Sequence, residues 1–196
     1  MSRVATGVVG QQTRSVEITK QVAVVVSASL FVALCARVTV PLLFTPVPLT
    51  LQNFGVLAVG LVLGPRRGFA ALSLYLLEGA FGMPVFSLGG GIAHLFGPTG
   101  GFLMAYPAVA FVAGWIYEHG SRGFLSAALA SIAAEVVLFA AGLSWLFVLT
   151  HSFSLAIRYG LYWFVFAEII KVLMAAGVAA RWQQWKSTRA QFRQDL

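Results

Sequence analysis

The chain has 196 residues, of which 59% are hydrophobic and only 10% are charged, with a formal net charge of +7. Soluble domains carry about 25% charged residues, so this composition excludes an ordinary soluble protein. The apolar residues form long blocks without strand-like alternation, which predicts an all-α, multi-pass membrane protein rather than a β-barrel. Because the basic residues flank these blocks, the positive charge indicates membrane topology and not nucleic-acid binding. Cys35 is the only cysteine, so neither an internal disulfide nor a cysteine metal cluster can form.

Six membrane helices are predicted between a polar cytoplasmic lead at residues 1–19 and a basic cytoplasmic tail at residues 181–196. The lead has no early apolar core, so no cleavable signal peptide is expected. The helices are predicted at residues 20–40, 53–63, 69–81, 102–117, 124–149 and 159–180. The second and third are shorter than the roughly 20 residues of a full span, and a basic turn at residues 64–68 joins them. Short segments of this kind occur at transporter sites, so we expect one substrate-binding bundle at residues 20–180.

The distribution of Lys and Arg predicts that both termini face the cytoplasm. Only Arg37 and Arg158 of the 13 basic residues then lie outside, while Lys171 lies within the membrane. This bias satisfies the positive-inside rule and requires an even number of helices. It also puts two loops rich in glycine and proline, residues 43–51 and 83–101, on the outer face. A substrate captured from outside would meet these loops first.

Glu168 and Lys171 lie one turn apart within the last apolar segment. Charges at membrane depth are costly and usually face a cavity, a partner or a ligand, so this pair predicts a substrate site. The alternative is a purely intrahelical ion pair, because residues at i and i+3 are neighbours on a helix. Two further intramembrane acids, Glu78 and Glu135, could serve a stand-alone carrier coupled to protons.

The first loop offers neutral hydrogen-bonding groups on a stiff backbone. Prolines at positions 46 and 48 restrict it, and Thr45 and Gln52 supply polar side chains. A stiff lid loses little conformational entropy when it closes over a ligand. A plain connecting loop is the alternative.

The second loop offers close backbone approach together with an apolar surface. Gly90 and Gly91 allow a ligand to lie against the main chain, and Phe86 provides a ring face, which suits a small and partly apolar molecule. His94 is a candidate polar contact, although a lone histidine in a loop is more often structural.

The motif content argues against catalysis by the chain itself. It contains no Gly-x-x-x-x-Gly-Lys-Ser/Thr loop, so active uptake needs an energising partner or an ion gradient. A membrane-embedded enzyme that uses Glu135 or Glu168 with His94 is an alternative, but no nucleophile–base spacing or metal motif supports it. No metal and no cofactor are expected.

Four motifs, in this order, resemble the BioY family, the biotin-specific substrate-binding (S) components of energy-coupling-factor (ECF) transporters. They are Thr-Pro-Val-Pro-Leu-Thr-Leu-Gln at 45–52, Leu-Gly-Pro-Arg-Arg-Gly at 63–68, Gly-Met-Pro-Val-Phe at 82–86 and Phe-Gly-Pro-Thr-Gly-Gly at 96–101. The resemblance covers about residues 30–180. It implies high-affinity biotin uptake by a multi-pass protein of the bacterial cytoplasmic membrane. The implied partners are biotin, membrane lipid, a transmembrane coupling protein and two ATPase subunits.

In such S components, the small-residue face of the first helix is the usual docking surface for the coupling protein. Ser29 and Ala33 have small-xxx-small spacing on that helix, which lets another helix approach closely. The resemblance therefore implies that these two residues contact the partner. Packing within the bundle itself is the alternative.

The family's last helix carries an acid followed three residues later by lysine. Glu168 and Lys171 match this spacing, with glutamate in place of the usual aspartate. Glu168 is expected to accept a ureido N–H of biotin, and Lys171 to pair with the tail carboxylate. Three residues rise only about 4.5 Å along a helix, so either biotin bends, Lys171 reaches along the cavity, or one residue is structural. The candidate ring walls are Phe86, Trp163 and Tyr75, and the candidate polar contacts are Gln52, Thr45 and His94.

Overall fold

The structure is a computed structural model that describes the backbone of residues 2–194 and the side chains of residues 16–192. The described chain is almost entirely helical. The elements are α1 (Ser2–Arg37), β1 (Thr39–Val40), β2 (Leu49–Thr50), α2 (Gln52–Leu63), α3 (Pro65–Ala80), α4 (Ala93–Phe96), α5 (Gly100–His119), α6 (Phe124–Thr150), α7 (Phe153–Gly160) and α8 (Val165–Gln194).

Membrane-spanning character is clear for part of the bundle. Within the described residues, α1, α5 and α6 are long and apolar enough to cross a membrane, and α7 with α8 makes a fourth span if this pair, bent by 48°, is counted as one. Large apolar side chains such as Leu34, Val136 and Ile170 are exposed on the outside of the bundle. Such surfaces are stable against lipid, so the chain is a multi-pass membrane protein.

Each segment predicted to be helical contains a helix, but several of the predicted boundaries were wrong. The polar lead is helical, because α1 already begins at Ser2. Its other end comes at Arg37, three residues early, because Thr39 and Val40 form a strand. Only Gly64 separates α2 from α3, since its φ of 82° reverses the chain and Pro65 starts the next helix.

The predicted last helix is broken in two. The segment expected to be a loop at residues 150–158 contains most of α7, whose first turn is capped by the Ser152 hydroxyl accepting from the Leu155 N–H. Helix α7 then ends at Gly160, and after four intervening residues α8 begins at Val165 and continues through the predicted tail to Gln194. The bend lies immediately before the predicted site residues Glu168 and Lys171.

Two loops close one end of the bundle. In the first loop (residues 38–51), β1 and β2 pair antiparallel, with Thr39 opposite Thr50. The second loop (residues 81–99) includes the short helix α4 and is tied down by a hydrogen bond from Gly91 N to Gly79 O of 2.7 Å. The Arg37 guanidinium donates to the carbonyl of Pro84, so α1 also anchors this loop.

Helices α2, α3 and α5 pack backbone against backbone. A Cβ atom added at Gly60 of α2 would lie 2.9 Å from the Ala110 Cα of α5, and one added at Gly114 would lie 2.7 Å from the Pro65 nitrogen. Real Cβ atoms do not approach so closely, so these positions admit only glycine. Small residues at such crossings let membrane helices make extensive van der Waals contact.

The small-residue face of α1 packs inside the bundle. Ser29 is fully buried and donates a hydrogen bond to Glu78 on α3, while Ala33 packs against the central core. In the isolated chain, both residues therefore make packing contacts within the bundle, which was the alternative to a partner contact. The contact also explains Glu78, an acid in an apolar segment, because Ser29 supplies it with a hydrogen-bond donor.

Candidate ligand-binding site

A cavity lies between the two loops and the helices α2, α5, α6 and α8. The empty space between its walls, counted together with its open mouth, is about 650 Å³. Most of its lining is apolar, and a few polar groups converge on it. The lining residues are Val47, Pro48, Thr50, Gln52, Asn53, Phe86, Ser87, Leu88, His94, Thr99, Phe102, Leu103, Tyr106, Leu138, Phe139, Gly160, Phe164, Glu168 and Lys171.

Glu168 and Lys171 are buried residues in the lining of this cavity. Their residues are 7% and 6% exposed, and Lys171 Nζ lies 2.7 Å from Glu168 Oε1. Both side chains leave the first turns of α8, immediately after the bend, so the break in the helix puts them next to the cavity. One carboxylate and one ammonium group in the same place can serve a ligand that carries both a donor and an acceptor.

Asn53 connects this pair to a second acid. Its Nδ2 atom donates to Glu168 Oε2 at 2.7 Å and to Glu135 Oε1 at 2.6 Å. Asn53 is in the first turn of α2 and Glu135 is in the middle of α6, so the amide joins three helices. Glu135 itself is not part of the cavity lining.

Gln52 reaches the cavity from the start of α2 and is held from behind by Tyr75. Its Nε2 atom donates to the Tyr75 hydroxyl at 2.8 Å, and that hydroxyl donates to the Val85 carbonyl of the second loop at 2.8 Å. These two hydrogen bonds use the Gln52 amide nitrogen and leave its amide oxygen free to accept from a ligand N–H.

Tyr106 lies on α5 beside the acids, and sequence analysis did not select it. It is 5% exposed and lines the cavity. Among the described side chains, none makes a hydrogen bond to its hydroxyl. A buried phenol without a protein partner is a natural donor or acceptor for a bound molecule.

The apolar walls are aromatic. Phe86 is fully buried and packs edge-to-face on Tyr75, with ring centroids 5.5 Å apart. Phe102 and Phe139 form a second edge-to-face pair at 6.4 Å across α5 and α6, and Phe164 contributes from the bend before α8. Rings at several angles suit a compact apolar ring system.

Five of the ten predicted ligand residues line the cavity, namely Glu168, Lys171, Phe86, Gln52 and His94. The Nδ1 atom of His94 is buried and has no hydrogen-bond partner within the described part of the chain, so a ligand atom could satisfy it.

The other five predicted residues support the cavity or lie outside it. Thr45 fixes the first loop, because its hydroxyl donates to the Tyr159 carbonyl at 2.7 Å. Tyr75 stands behind Gln52 and is fully buried. Trp163 is 43% exposed and packs on Phe44, whereas the next residue, Phe164, points inward. Neither Gly90 nor Gly91 is among the lining residues.

Sequence reasoning missed Asn53 as well as Tyr106. A polar amide inside a short apolar helix was the available signal, since such residues are rare at membrane depth. No signal distinguished Tyr106, because tyrosine in an apolar helix is also typical of packing or of the membrane interface. The described residues contain no group of three or more His, Cys, Asp or Glu side chains that could hold a metal ion.

A second, apolar groove runs between α6 and α8 on the outside of the bundle. It is walled by residues such as Ile132, Val165 and Ile169, and Glu135 lies at its base. Phe139 and Glu168 belong to both this groove and the main cavity, so a thin wall separates the ligand site from the lipid-facing surface.

Comparison with known proteins identifies the family of this chain. The profile of the BioY family matches residues 6–188. The chain belongs to the BioY family. It is 40% identical over 161 residues to a probable biotin transporter BioY of Pyrococcus horikoshii, a match that covers 79% of this chain and 93% of the relative.

Further family members show similar agreement. The biotin transporter BioY of Thermotoga maritima is 37% identical over 160 residues, covering 80% of this chain and 93% of the relative. The BioY of Rhizobium etli is 37% identical over 158 residues, covering 76% and 84%. The fold is similar to the crystal structure of the S component for biotin from an ECF-type ABC transporter, with a TM-score of 0.78, 22% identity and coverage of 86% of this chain and 93% of that one.

Proposed function

We propose that this chain captures biotin and carries it across the cytoplasmic membrane as the S component of an ECF-type transporter. The observation that carries the proposal is the buried Glu168–Lys171 pair in the lining of an aromatic cavity, in a member of the BioY family. Two relatives that the chain covers over 93% of their length are a probable biotin transporter and a biotin transporter. The chain is a transport protein and not an enzyme.

The ureido ring of biotin matches the hydrogen-bonding groups of Glu168 and Lys171. A cyclic urea presents two N–H donors and one carbonyl acceptor within a few ångströms. Glu168 accepts an N–H, and Lys171 donates to the carbonyl oxygen, because their charged atoms are only 2.7 Å apart and so reach the same small group. We therefore assign Lys171 to the ureido oxygen rather than to the distant tail carboxylate.

The remaining parts of biotin follow from this orientation. The thioether ring lies among Phe86, Phe102 and Phe164, where its apolar surface is removed from water. The tail then points to the loops, and its carboxylate lies near His94 and Thr99, which can donate hydrogen bonds. A charged tail near the mouth keeps much of its hydration, which a fully buried carboxylate would lose.

The membrane arrangement completes the proposal. Six crossings are formed by α1, α2, α3, α5, α6 and the α7–α8 pair, with both termini in the cytoplasm, and residues 20–180 form the substrate-binding domain. This orientation opens the cavity to the outside and leaves the basic end of α8 inside, as the positive-inside rule requires. A coupling protein and two ATPases supply the energy, since the sequence has no phosphate-binding loop of its own.

Helix α1 carries Ser29 and Ala33, and we place the docking surface for the coupling protein on the exposed side of this helix. Because Ser29 is occupied by Glu78, the available small residues are Ala23 and Ser27, which line an apolar groove between α1 and α2. Small side chains there permit the close helix approach that the predicted contact needs.

The test is equilibrium binding of biotin to the detergent-purified chain. The wild type should bind tightly, and both Lys171→Ala and Glu168→Gln should weaken binding strongly. Gly177→Ala is the matched control on the same helix, since a methyl group there meets no atom within 4 Å. Absence of binding by folded wild type, or equal binding by all four proteins, would contradict the proposal.

A further inference from the structure

Two buried oxygen atoms in the polar network have no hydrogen-bond partner within the described part of the chain: Asn53 Oδ1 and Glu135 Oε2. They belong to two side chains that already share one hydrogen bond, from Asn53 Nδ2 to Glu135 Oε1. Leaving a buried polar atom unpaired costs free energy. A carboxyl oxygen and an amide oxygen are both acceptors, so they cannot bond each other without a hydrogen between them.

We propose that Glu135 holds a proton on Oε2 and donates it to Asn53 Oδ1, which closes a two-bond acid–amide pair and makes Glu135 a positioning residue for the ligand-binding Glu168. One proton then satisfies both unpaired atoms. The terminal torsions of Glu and Asn are broad, so the two planes can align without distorting either helix.

Hydrogen accounting for Asn53 supports this arrangement. The amide nitrogen has two hydrogens, and both are used, one on Glu135 Oε1 and one on Glu168 Oε2. The opposite amide orientation would turn Oδ1 toward two carboxyl groups and lose both bonds. The proton on Glu135 therefore holds Asn53 in the orientation that supplies a donor to Glu168.

Charge accounting leads to the same conclusion. Lys171 pairs with Glu168, and no second cation among the described side chains contacts Glu135. If both acids were ionised, the network would carry one uncompensated negative charge in a buried membrane site, which is strongly unfavourable. With Glu135 neutral, the network is neutral as a whole.

The groups that face Glu135 from the packed helices are few. Helix α2 contributes the neutral Asn53 and α8 contributes Glu168, while the Tyr106 phenol of α5 and Lys171 of α8 are close enough to interact electrostatically with Glu135. Glu168 disfavours a second negative charge on Glu135, and Lys171 is already engaged by Glu168. Loss of the proton at high pH leaves Asn53 Oδ1 and Glu135 Oε2 as two acceptors without a donor and adds a negative charge beside Glu168, so the acid–amide pair opens and Asn53 is no longer fixed in position. Because the protonated form is the competent one, affinity is full at low pH and is lost as pH rises through the titration of Glu135.

The variants that test the proton are Glu135→Gln and Glu135→Ala. A glutamine amide can accept from Asn53 Nδ2 and donate to Asn53 Oδ1, so it reproduces both bonds without a titratable proton. Glu135→Gln should keep biotin affinity within about threefold of wild type, and its affinity should not fall at alkaline pH. Glu135→Ala should lose about tenfold, because Asn53 is left with unpaired atoms. Glu78→Gln, on an acid outside the network, should keep the wild-type pH profile.

The second measurement does not depend on biotin. Infrared spectra of the ligand-free purified variants are subtracted from that of the wild type. The carbonyl stretch of a protonated Glu135 should be present in wild type and in Glu78→Gln, and it should be absent in Glu135→Gln. Loss of the band in a folded Glu135→Gln variant supports a protonated Glu135 even if biotin is not the ligand. The inference about Glu135 and the proposed function are therefore tested independently. The inference is overturned if Glu135→Gln binds as weakly as Glu135→Ala, or if removing Glu135 leaves the protonated-acid band unchanged.

Discussion

Lys171 Nζ lies 2.7 Å from Glu168 Oε1, although the two side chains are only 8% and 10% exposed. A buried ion pair is stable only when its remaining hydrogen-bonding capacity is used. Glu168 meets this condition through Asn53, whereas Lys171 has donors left for a ligand. The pair is therefore poised to bind as well as to hold α8 in the bundle.

Breaking this pair from one side should affect both stability and binding. Lys171→Ala leaves Glu168 buried without a cation, and such losses cost about 3–5 kcal/mol in soluble proteins. We expect a lower unfolding temperature together with loss of biotin binding. The double variant Lys171→Met with Glu168→Leu should recover most of the stability but none of the binding. Recovery of binding in the double variant would show that the pair is purely structural.

Tyr106→Phe tests the cavity hydroxyl with little change in shape. Because that hydroxyl has no partner among the described side chains, its removal should leave the unfolding temperature unchanged. If it bonds the ligand, biotin affinity should fall by about 5–10-fold, the usual effect of one lost neutral hydrogen bond. Tyr75→Phe is the contrasting variant, since it removes the bonds to Gln52 and Val85 and should lower stability too. Unchanged affinity in Tyr106→Phe would exclude this hydroxyl from the site.

Gly79→Ala should displace a wall of the cavity from behind. A methyl group at Gly79 of α3 would overlap the ring of Phe86, which is enclosed by Tyr75 and the second loop. The ring must move into the ligand space, so binding should weaken while the helix itself gains intrinsic propensity. Competition binding measures the effect. Gly177→Ala, which makes the same chemical change on α8 in open space, should bind biotin normally.

Gly60→Val should destabilise the chain without touching the cavity. The added side chain would collide with the α5 backbone at Ala110, and overpacking of this kind costs about 1–3 kcal/mol. Thermal unfolding in detergent, compared with Gly177→Ala, is the measurement. An unfolding temperature equal to wild type would mean that α2 and α5 can separate freely at this crossing.

The charged part of the site could be predicted from the sequence, because two opposite charges one turn apart in an apolar helix have few explanations. Asn53 and Glu135 could not be joined to it in advance, since they lie on different helices and only tertiary packing brings them together. The aromatic wall was harder to predict, because a shift of one position along the chain changes which ring faces the cavity. Trp163 and Phe164 are adjacent, and the bend after Gly160 determines which of them faces inward.

Helix existence was easier to predict than helix continuity. Long apolar runs fix the location of α5 and α6 almost by length alone. The break between α7 and α8 was missed because Leu161, Tyr162 and Trp163 continue the apolar pattern through it. Only the Ser152 cap and the glycine at position 160 mark α7 as a separate helix, and both are weak signals inside an apolar stretch.

The backbone contacts among α2, α3 and α5 have a mechanical consequence for the opposite side of the cavity. Helices that touch through glycine have no intervening side chains to reorient, so that half of the bundle is stiff. The helical hydrogen-bonding pattern is interrupted at residues 161–164, between α7 and α8, so we expect bending to be easiest there. Phe164, Glu168 and Lys171 all follow that point, and Glu168 N is bonded to Phe164 O. We therefore expect a small rotation there to move one aromatic wall and both charged groups together, so that a single motion would change both the apolar and the charged contacts of a ligand.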